Sequence, residues 1–247
     1  MNETIFNQRD LRFLAKNSLD QDAVELDKIK RSYAQGMPLA YILGKEEFFG
    51  YEFTVNPSVL IPRPETELIV EKALEIIKSD KLNSVLDLCC GCGNIAIAIK
   101  KSTQSQLRVF ASDLSLEALR IAKINADRHK AEIGFIQSDL LTGLRGEFFD
   151  IIVSNPPYVE DESIKGSLSY EPRTALSGGV DGLEVIRKIT GQADGCLKEK
   201  GYLIIEIGYQ HKDKLKDHID NLGLYRIVDW IKDYSGHFRG IVLQKNG

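Results

Sequence analysis

Asn155-Pro156-Pro157-Tyr158 closes the run Ile151-Ile152-Val153-Ser154, and these residue types in this order can grip a planar NH2 group. Each proline has a fixed φ and no N–H, and the residue before a proline is pushed toward extended geometry. Asn155 is thereby held extended at the tip of a β-branched strand. Its side-chain oxygen and the Pro156 carbonyl can accept the two hydrogens of an amide or amine, while the Tyr158 ring lies against the face. Taken alone, the same residues also describe a strand-ending turn with a buried tyrosine.

A second constellation lies upstream. Val85-Leu86-Asp87-Leu88 reads as a buried strand that runs into Cys89-Cys90-Gly91-Cys92-Gly93 and then into a helix at Asn94. Gly91 and Gly93 let backbone approach a ligand, with helix N-terminal amides facing it. Asp113 ends the next strand twenty positions after Gly93, where a carboxylate takes a ribose diol. Gly91-x-Gly93-x-x-Ala96 also fits a nicotinamide-dinucleotide turn, so the glycines alone leave the ligand open. Asp87 argues between the two: a carboxylate at the mouth of the loop repels a pyrophosphate and attracts an ammonium group. S-adenosylmethionine has both the ribose and the ammonium. It also gives a corner that holds NH2 a purpose, since nothing there accepts a hydride.

Bringing two such sites together requires a sheet whose strands end side by side. Periodicity predicts strands over 84–88, 107–112, 132–137, 149–153, 202–207, 224–231 and 238–244, with helices over 94–101, 115–128, 183–199 and 210–222 between them. This alternation gives an α/β fold, a doubly wound and mostly parallel sheet ending in an antiparallel pair. Ahead of it, residues 1–35 read as a short helical segment in two pieces, and 36–63 as a hairpin linker turning near Gly50. Pro64, with Glu65 and Glu67 in the following turn, opens a helix to about Ser79, so 64–247 forms the main domain. The irregular stretch 159–182 borders the Asn155 corner and is expected to fold over it as a lid.

Composition narrows the partners. The 247 residues are 43% hydrophobic and 28% charged, with a net charge of −4, which supplies no global basic field for nucleic acid. No apolar run approaches a bilayer span and the first ten residues do not resemble a leader, so a cytoplasmic protein is expected. The Cys89–Cys92 cluster lacks the spacing of a zinc site, and no metal is expected. His129, His211, His218 and His237 are scattered and are expected to be structural or solvated.

Asp87-Leu88-x-x-Gly91-x-Gly93 together with Asn155-Pro156-Pro157-Tyr158 resembles the class I, Rossmann-like methyltransferases that use S-adenosylmethionine on planar NH2 nitrogens. Further blocks resemble one branch, the protein-glutamine N5-methyltransferases of peptide chain release factors (the HemK/PrmC family). They are Pro38–Gly44, Ile61-Pro62-Arg63-Pro64-Glu65-Thr66-Glu67, Tyr170-Glu171-Pro172, Gly178-Gly179-x-Asp181-Gly182-Leu183 and Glu206-Ile207-Gly208. The resemblance implies a seven-stranded sheet and methyl transfer to a glutamine of the Gly-Gly-Gln motif in release factors, translation-termination proteins. It implies that Asp87, Cys89, Cys90, Gly91, Cys92, Gly93, Asp113, Leu140, Leu60, Thr66 and Asn155 bind the cofactor. Asn155, Pro156, Pro157 and Tyr158 would hold the glutamine, with Asn155, Pro156 and Tyr158 catalytic. A monomer without direct nucleic-acid or membrane contact is expected. Two departures stand out: family members usually have glycine at Cys89, and a longer helical domain ahead of the Pro38 block. The first is expected to put a side chain at the loop's entrance, the second to alter partner recognition. Rival readings are an N-methyltransferase of exocyclic amines in DNA or RNA, a nicotinamide-dependent oxidoreductase, and a non-catalytic binding protein that keeps the fold.

Overall fold

The computed structural model describes residues 6, 10, 14, 23–103 and 106–247. Most of the first expected N-terminal helix falls outside them; the second is α1 (Ala23–Ala34), followed by α2 (Leu39–Leu43). Strands β1 (Lys45–Phe48) and β2 (Tyr51–Thr54) then form the hairpin. Phe49 and Gly50 turn it with φ of 51° and 76°, the left-handed pair a two-residue hairpin turn requires.

The main body runs α3 (Pro64–Asp80), β3 (Ser84–Leu88), α4 (Asn94–Ser102), β4 (Arg108–Asp113), α5 (Leu116–His129), β5 (Gly134–Gln137) and β6 (Phe149–Ser154). It continues with α6 (Arg173–Leu176), α7 (Glu184–Ala193), β7 (Leu197–Glu206), α8 (Lys212–Leu222), β8 (Tyr225–Lys232) and β9 (Phe238–Lys245). Caps seen in the sequence hold their helices: Pro64 sits in the first turn of α3, and Ser115 Oγ accepts from the Ala118 N–H at 3.2 Å.

Seven strands form one sheet in the order β5-β4-β3-β6-β7-β9-β8, parallel through β7 and antiparallel in the last two pairings. Helices cover both faces, which is why the central strands are apolar on both sides. Val85, Ile151, Val153 and Ile204 belong to a core shared with α3, α4 and α5, whereas Leu86, Ile152, Leu203 and Ile205 share one with α7 and α8.

The expected helix over 183–199 is two elements. It ends at Ala193, and Leu197 already pairs with Phe149 in the sheet. The sequence Leu197-Lys198-Glu199-Lys200 has helical composition, but the Phe148 and Phe149 N–H groups both donate to the Cys196 carbonyl at 3.1 Å and draw the chain into the ladder. Tertiary pairing overrides propensity here. The strand expected over 202–207 therefore begins five residues earlier.

Register decides what meets at the carboxyl edge. Leu88 pairs with Ser112 on one side and Ser154 on the other, and Ser154 pairs with Ile205. One residue further on, Asp113, Cys89, Asn155 and Glu206 stand in a row across β4, β3, β6 and β7. The chain winds outward from β3 to β5, then returns to the other side of β3 with β6, so the row crosses the topological switch, where open α/β sheets bind ligands.

Candidate active site

A cavity of about 430 Å³ opens at this edge. Of the residues expected at the cofactor, Leu60, Thr66, Cys89, Cys90, Gly91, Cys92, Asp113, Leu140 and Asn155 line it, as does Pro157. Gly91 has φ of 53°, and a Cβ placed there would meet no protein atom within 4 Å, so the loop leaves room beside its backbone. Asp113 accepts from the Gly91 N–H through Oδ2 and from the Ser115 N–H through Oδ1, each at 2.9 Å. Burial raises its pKa, with those N–H groups pulling the other way. A carboxylate so oriented on the wall suits a diol.

Gly93, Asp87, Pro156 and Tyr158 are not on that wall. Gly93 is the left-handed N-cap of α4, and a Cβ would stand 3.1 Å from Ala122 Cβ on α5, so glycine lets the two helices approach. Asp87 is fully buried. Its Oδ2 accepts from the Ala96 N–H at 2.9 Å, and Oδ1 has no hydrogen-bond partner among the described residues. Burial pushes its pKa up to about 8, against the Ala96 N–H and with the nearby Asp113 charge. The expectation that Asp87 faces a ligand from the mouth of the loop is corrected: the first turn of α4 covers it.

Cys89 stands where the resemblance leads to an expected glycine, and the backbone gives glycine a reason there. Its φ is 62°, a left-handed conformation that costs an L-residue about 1–2 kcal/mol. Its half-buried side chain stands on the wall, and burial raises the thiol pKa, as it does for Cys90; Cys92 is pushed up to about 12.

The Asn155 corner keeps its acceptors free. Asn155 Nδ2 donates to Thr66 Oγ1 at 3.1 Å, which turns Oδ1 the other way. Among the described residues, no hydrogen bond reaches Asn155 Oδ1 or the Pro156 carbonyl. The Tyr158 hydroxyl donates to Glu206 Oε1 at 2.9 Å, and burial raises its pKa far above the ordinary value.

Lid and linker are tied to this corner. Val159 N–H donates to the Leu176 carbonyl and Gly178 N–H to the Val159 carbonyl, at 2.8 and 2.9 Å. A Cβ on Gly178 would stand 2.7 Å from Tyr158 Cα, and one on Gly182 would stand 2.5 Å from the Tyr158 carbonyl. The Gly-Gly-x-Asp-Gly-Leu block is thus a cradle for the corner's backbone. Asp181 fixes its far end with hydrogen bonds from the Leu183 N–H and both Arg187 terminal nitrogens. Thr174 and Ala175 from the same segment complete the cavity wall. Buried Glu171 holds the Ile61 N–H at 3.1 Å and the Arg63 guanidinium, joining the Tyr-Glu-Pro block to the proline-rich link. Thr174 and Ala175 of the lid and Lys188 of α7 also line the cavity, and none of the three carried a sequence signal of its own.

Over 246 residues the chain is 37% identical to the release factor glutamine methyltransferase of Clostridium acetobutylicum, with 95% of this chain and 83% of that one covered. The chain belongs to the release factor glutamine methyltransferases. This methyltransferase is also 38% identical to the family member of Bacillus subtilis, over 90% of its own length and 82% of the relative's. The family model described as "Methyltransferase small domain" matches residues 66–171. Among solved structures, a methyltransferase from Pyrococcus furiosus superposes with a TM-score of 0.59 at 20% identity, covering 90% of this chain and all of the other. An S-adenosylmethionine-dependent methyltransferase from Clostridium acetobutylicum gives 0.53 at 14% identity, over 73% and 92% of the two chains. These two likenesses show the class I fold. The enzyme uses S-adenosylmethionine, and the roomy glycine loop with Asp113 on its wall fits that group.

Proposed function

We propose that the enzyme methylates the side-chain amide nitrogen of a glutamine in peptide chain release factors, with Asn155 and Pro156 as the acceptors that hold it. The observation that carries this reading is that Asn155 Oδ1 and the Pro156 carbonyl, the corner's two acceptors, are spent on no group among the described residues. The relatives' name supplies the substrate. S-adenosylmethionine, when bound, supplies an electrophilic methyl on a sulfonium sulfur. Leu60, Thr66, the Cys89–Cys92 loop, Asp113, Leu140 and Asn155 are its proposed ligands.

An amide nitrogen is a poor nucleophile because its lone pair is delocalised into the carbonyl. Two acceptors fixed in space hold both N–H hydrogens and leave the lone pair directed out of the amide plane. Tyr158 packs the amide and excludes water. The chain's contribution is orientation and preorganised electrostatics, with no strong base needed beforehand. The proton freed on methylation passes to water or to the Asn155–Pro156 acceptors.

The division at residues 35 and 63, a monomeric state, a cytoplasmic setting where translation terminates, and the absence of direct nucleic-acid contact belong to this proposal. An exocyclic-amine enzyme would use the same corner, but Glu160, Asp161 and Glu162 beside it disfavour a phosphate backbone. The test is incubation with S-adenosylmethionine and a purified release factor, followed by peptide mass spectrometry. One added methyl on the Gly-Gly-Gln glutamine is expected. Asn155→Ala should lower kcat by at least about 100-fold, a loss far larger than any it causes in S-adenosylhomocysteine affinity. Methylation of a nucleic acid but not of the release factor would overturn the substrate assignment.

A further inference from the structure

Glu206 has no place in the chemistry so far, yet it closes the row that begins at Asp113. It is 1% exposed, at the end of β7 beside Asn155. Oε1 accepts from the Tyr158 hydroxyl, and Oε2 has no hydrogen-bond partner among the described residues. Burying a carboxyl costs several kcal/mol unless its lone pairs are satisfied, so an under-satisfied one at a site needs a reason. The reason lies in Thr66. Its oxygen accepts from Asn155 Nδ2 at 3.1 Å, so its own proton must point elsewhere, and the Thr66 hydroxyl pulls the Glu206 pKa down against burial.

We propose that Glu206 is the positioning residue of the carboxamide site, orienting the Tyr158 ring directly and the Asn155 amide through Thr66. This rests on the proposed methyl transfer only for its consequence in turnover. The logic is one of proton direction. An ionised carboxylate only accepts, so in this proposal the Thr66 proton is directed toward the otherwise unpartnered Oε2 and the Thr66 oxygen accepts from Asn155, which aims Oδ1 at the substrate. A protonated or amide-bearing residue at 206 donates to Thr66. Thr66 then donates to Asn155 Oδ1, and the Asn155 NH2 group swings to face the substrate's own NH2, donor against donor.

Burial raises the Glu206 pKa to about 7, against the pull of the Thr66 and Tyr158 hydroxyls. Two further charges act on it: Glu65 in the first turn of α3 raises it, and Arg239 on β9 lowers it. Arg239 is itself shared with Asp233 at 2.8 Å and with Glu65 at 3.9 Å. Loss of the correct Asn155 orientation is therefore expected as pH falls through about 7, on the acid side of the activity profile.

The experiment compares wild type, Glu206→Gln and Thr66→Val. Glutamine is isosteric, so the fold is kept, and Thr66→Val cuts the relay at its middle. On a release factor, Glu206→Gln should lower kcat by about 30-fold with the cofactor KM within about threefold, and its profile should lose the acid limb near neutrality. In the Thr66→Val background, adding Glu206→Gln should cost far less than it does alone. The second readout needs no turnover: solvent exchange of the Asn155 side-chain amide hydrogens, followed by NMR at a fixed pH of 8. Glu206→Gln should speed it at least about tenfold, because that NH2 leaves Thr66 for the cavity. Unchanged exchange in Glu206→Gln overturns the proposal, and so does an acid limb that survives at the same midpoint. If the wild type methylates no release factor but the exchange responds as stated, the substrate reading fails and the positioning role stands.

Discussion

Backbone strain and side-chain chemistry conflict at Cys89. The position wants a residue content at φ 62°, and cysteine is not one. Replacing it by glycine removes that strain and the side chain on the cavity wall, at the cost of extra freedom in the unfolded chain. Cys89→Gly should therefore raise stability by about 0.5–1 kcal/mol in urea titrations and tighten S-adenosylhomocysteine binding by about threefold in calorimetry. A weaker complex would show that the thiol contributes to the pocket. Asn155 was legible in the sequence because two adjacent prolines constrain it locally. Thr66 was expected at the same site from the resemblance, but its hydrogen bond to Asn155 was not legible, since the two lie 89 positions apart and only the folded sheet brings them within 3.1 Å. Asp87 was misplaced for a related reason. Its residue type and spacing suit a ligand, but the direction of its carboxyl depends on α4 lying over it.

Elements fit together through single polar residues as well as apolar faces. Asn125 on α5 is fully buried and accepts from the Thr54 N–H at 2.7 Å, while its Nδ2 donates to the Thr54 and Cys92 carbonyls at 3.0 Å. One amide thus joins the hairpin, a helix and the cofactor loop. Asn125→Ala leaves the buried Cys92 carbonyl and the partly buried Thr54 N–H and carbonyl unpaired and should destabilise the protein by roughly 2–4 kcal/mol in denaturant melts. It should also weaken cofactor binding, because the Cys92 carbonyl loses its tether; an unchanged affinity would mean the loop is held by its glycines and Asp113 alone. No sequence pattern announces such a residue, which sits in α5 like any helical asparagine. The α7–β7 boundary was hidden by the opposite effect. Lys and Glu residues favour helix locally, and pairing with β6 decides otherwise. The parallel strands β3, β4 and β6, by contrast, were read within one residue of their ends.

Across the whole molecule, the doubly wound order follows from alternating elements and the antiparallel finish from two successive strands, so the class of fold was legible. The electrostatic cost of the site was not. Asp87 rises from 3.8 to about 8 and Glu206 from 4.5 to about 7, both mainly through burial. Between the unfolded and folded values the folded state binds more protons, so each group removes stability as pH rises through its window. His211 and His218 act in the opposite sense. Burial lowers both below 6.5, so their contribution is lost as pH falls. The windows overlap below pH 6.5, where the opposing slopes partly cancel; above it only the carboxyls' loss remains, so the protein without cofactor weakens from there toward pH 8. Asp87→Asn separates them, because the carboxamide oxygen still accepts from the Ala96 N–H without any charge to bury. The variant's gain over wild type should be small near pH 4 and grow to the order of 2 kcal/mol by pH 8 in thermal melts of the cofactor-free protein. A gain that stays flat across that range would mean Asp87 ionises as an exposed acid does, and that the loop, not α4, sets its surroundings.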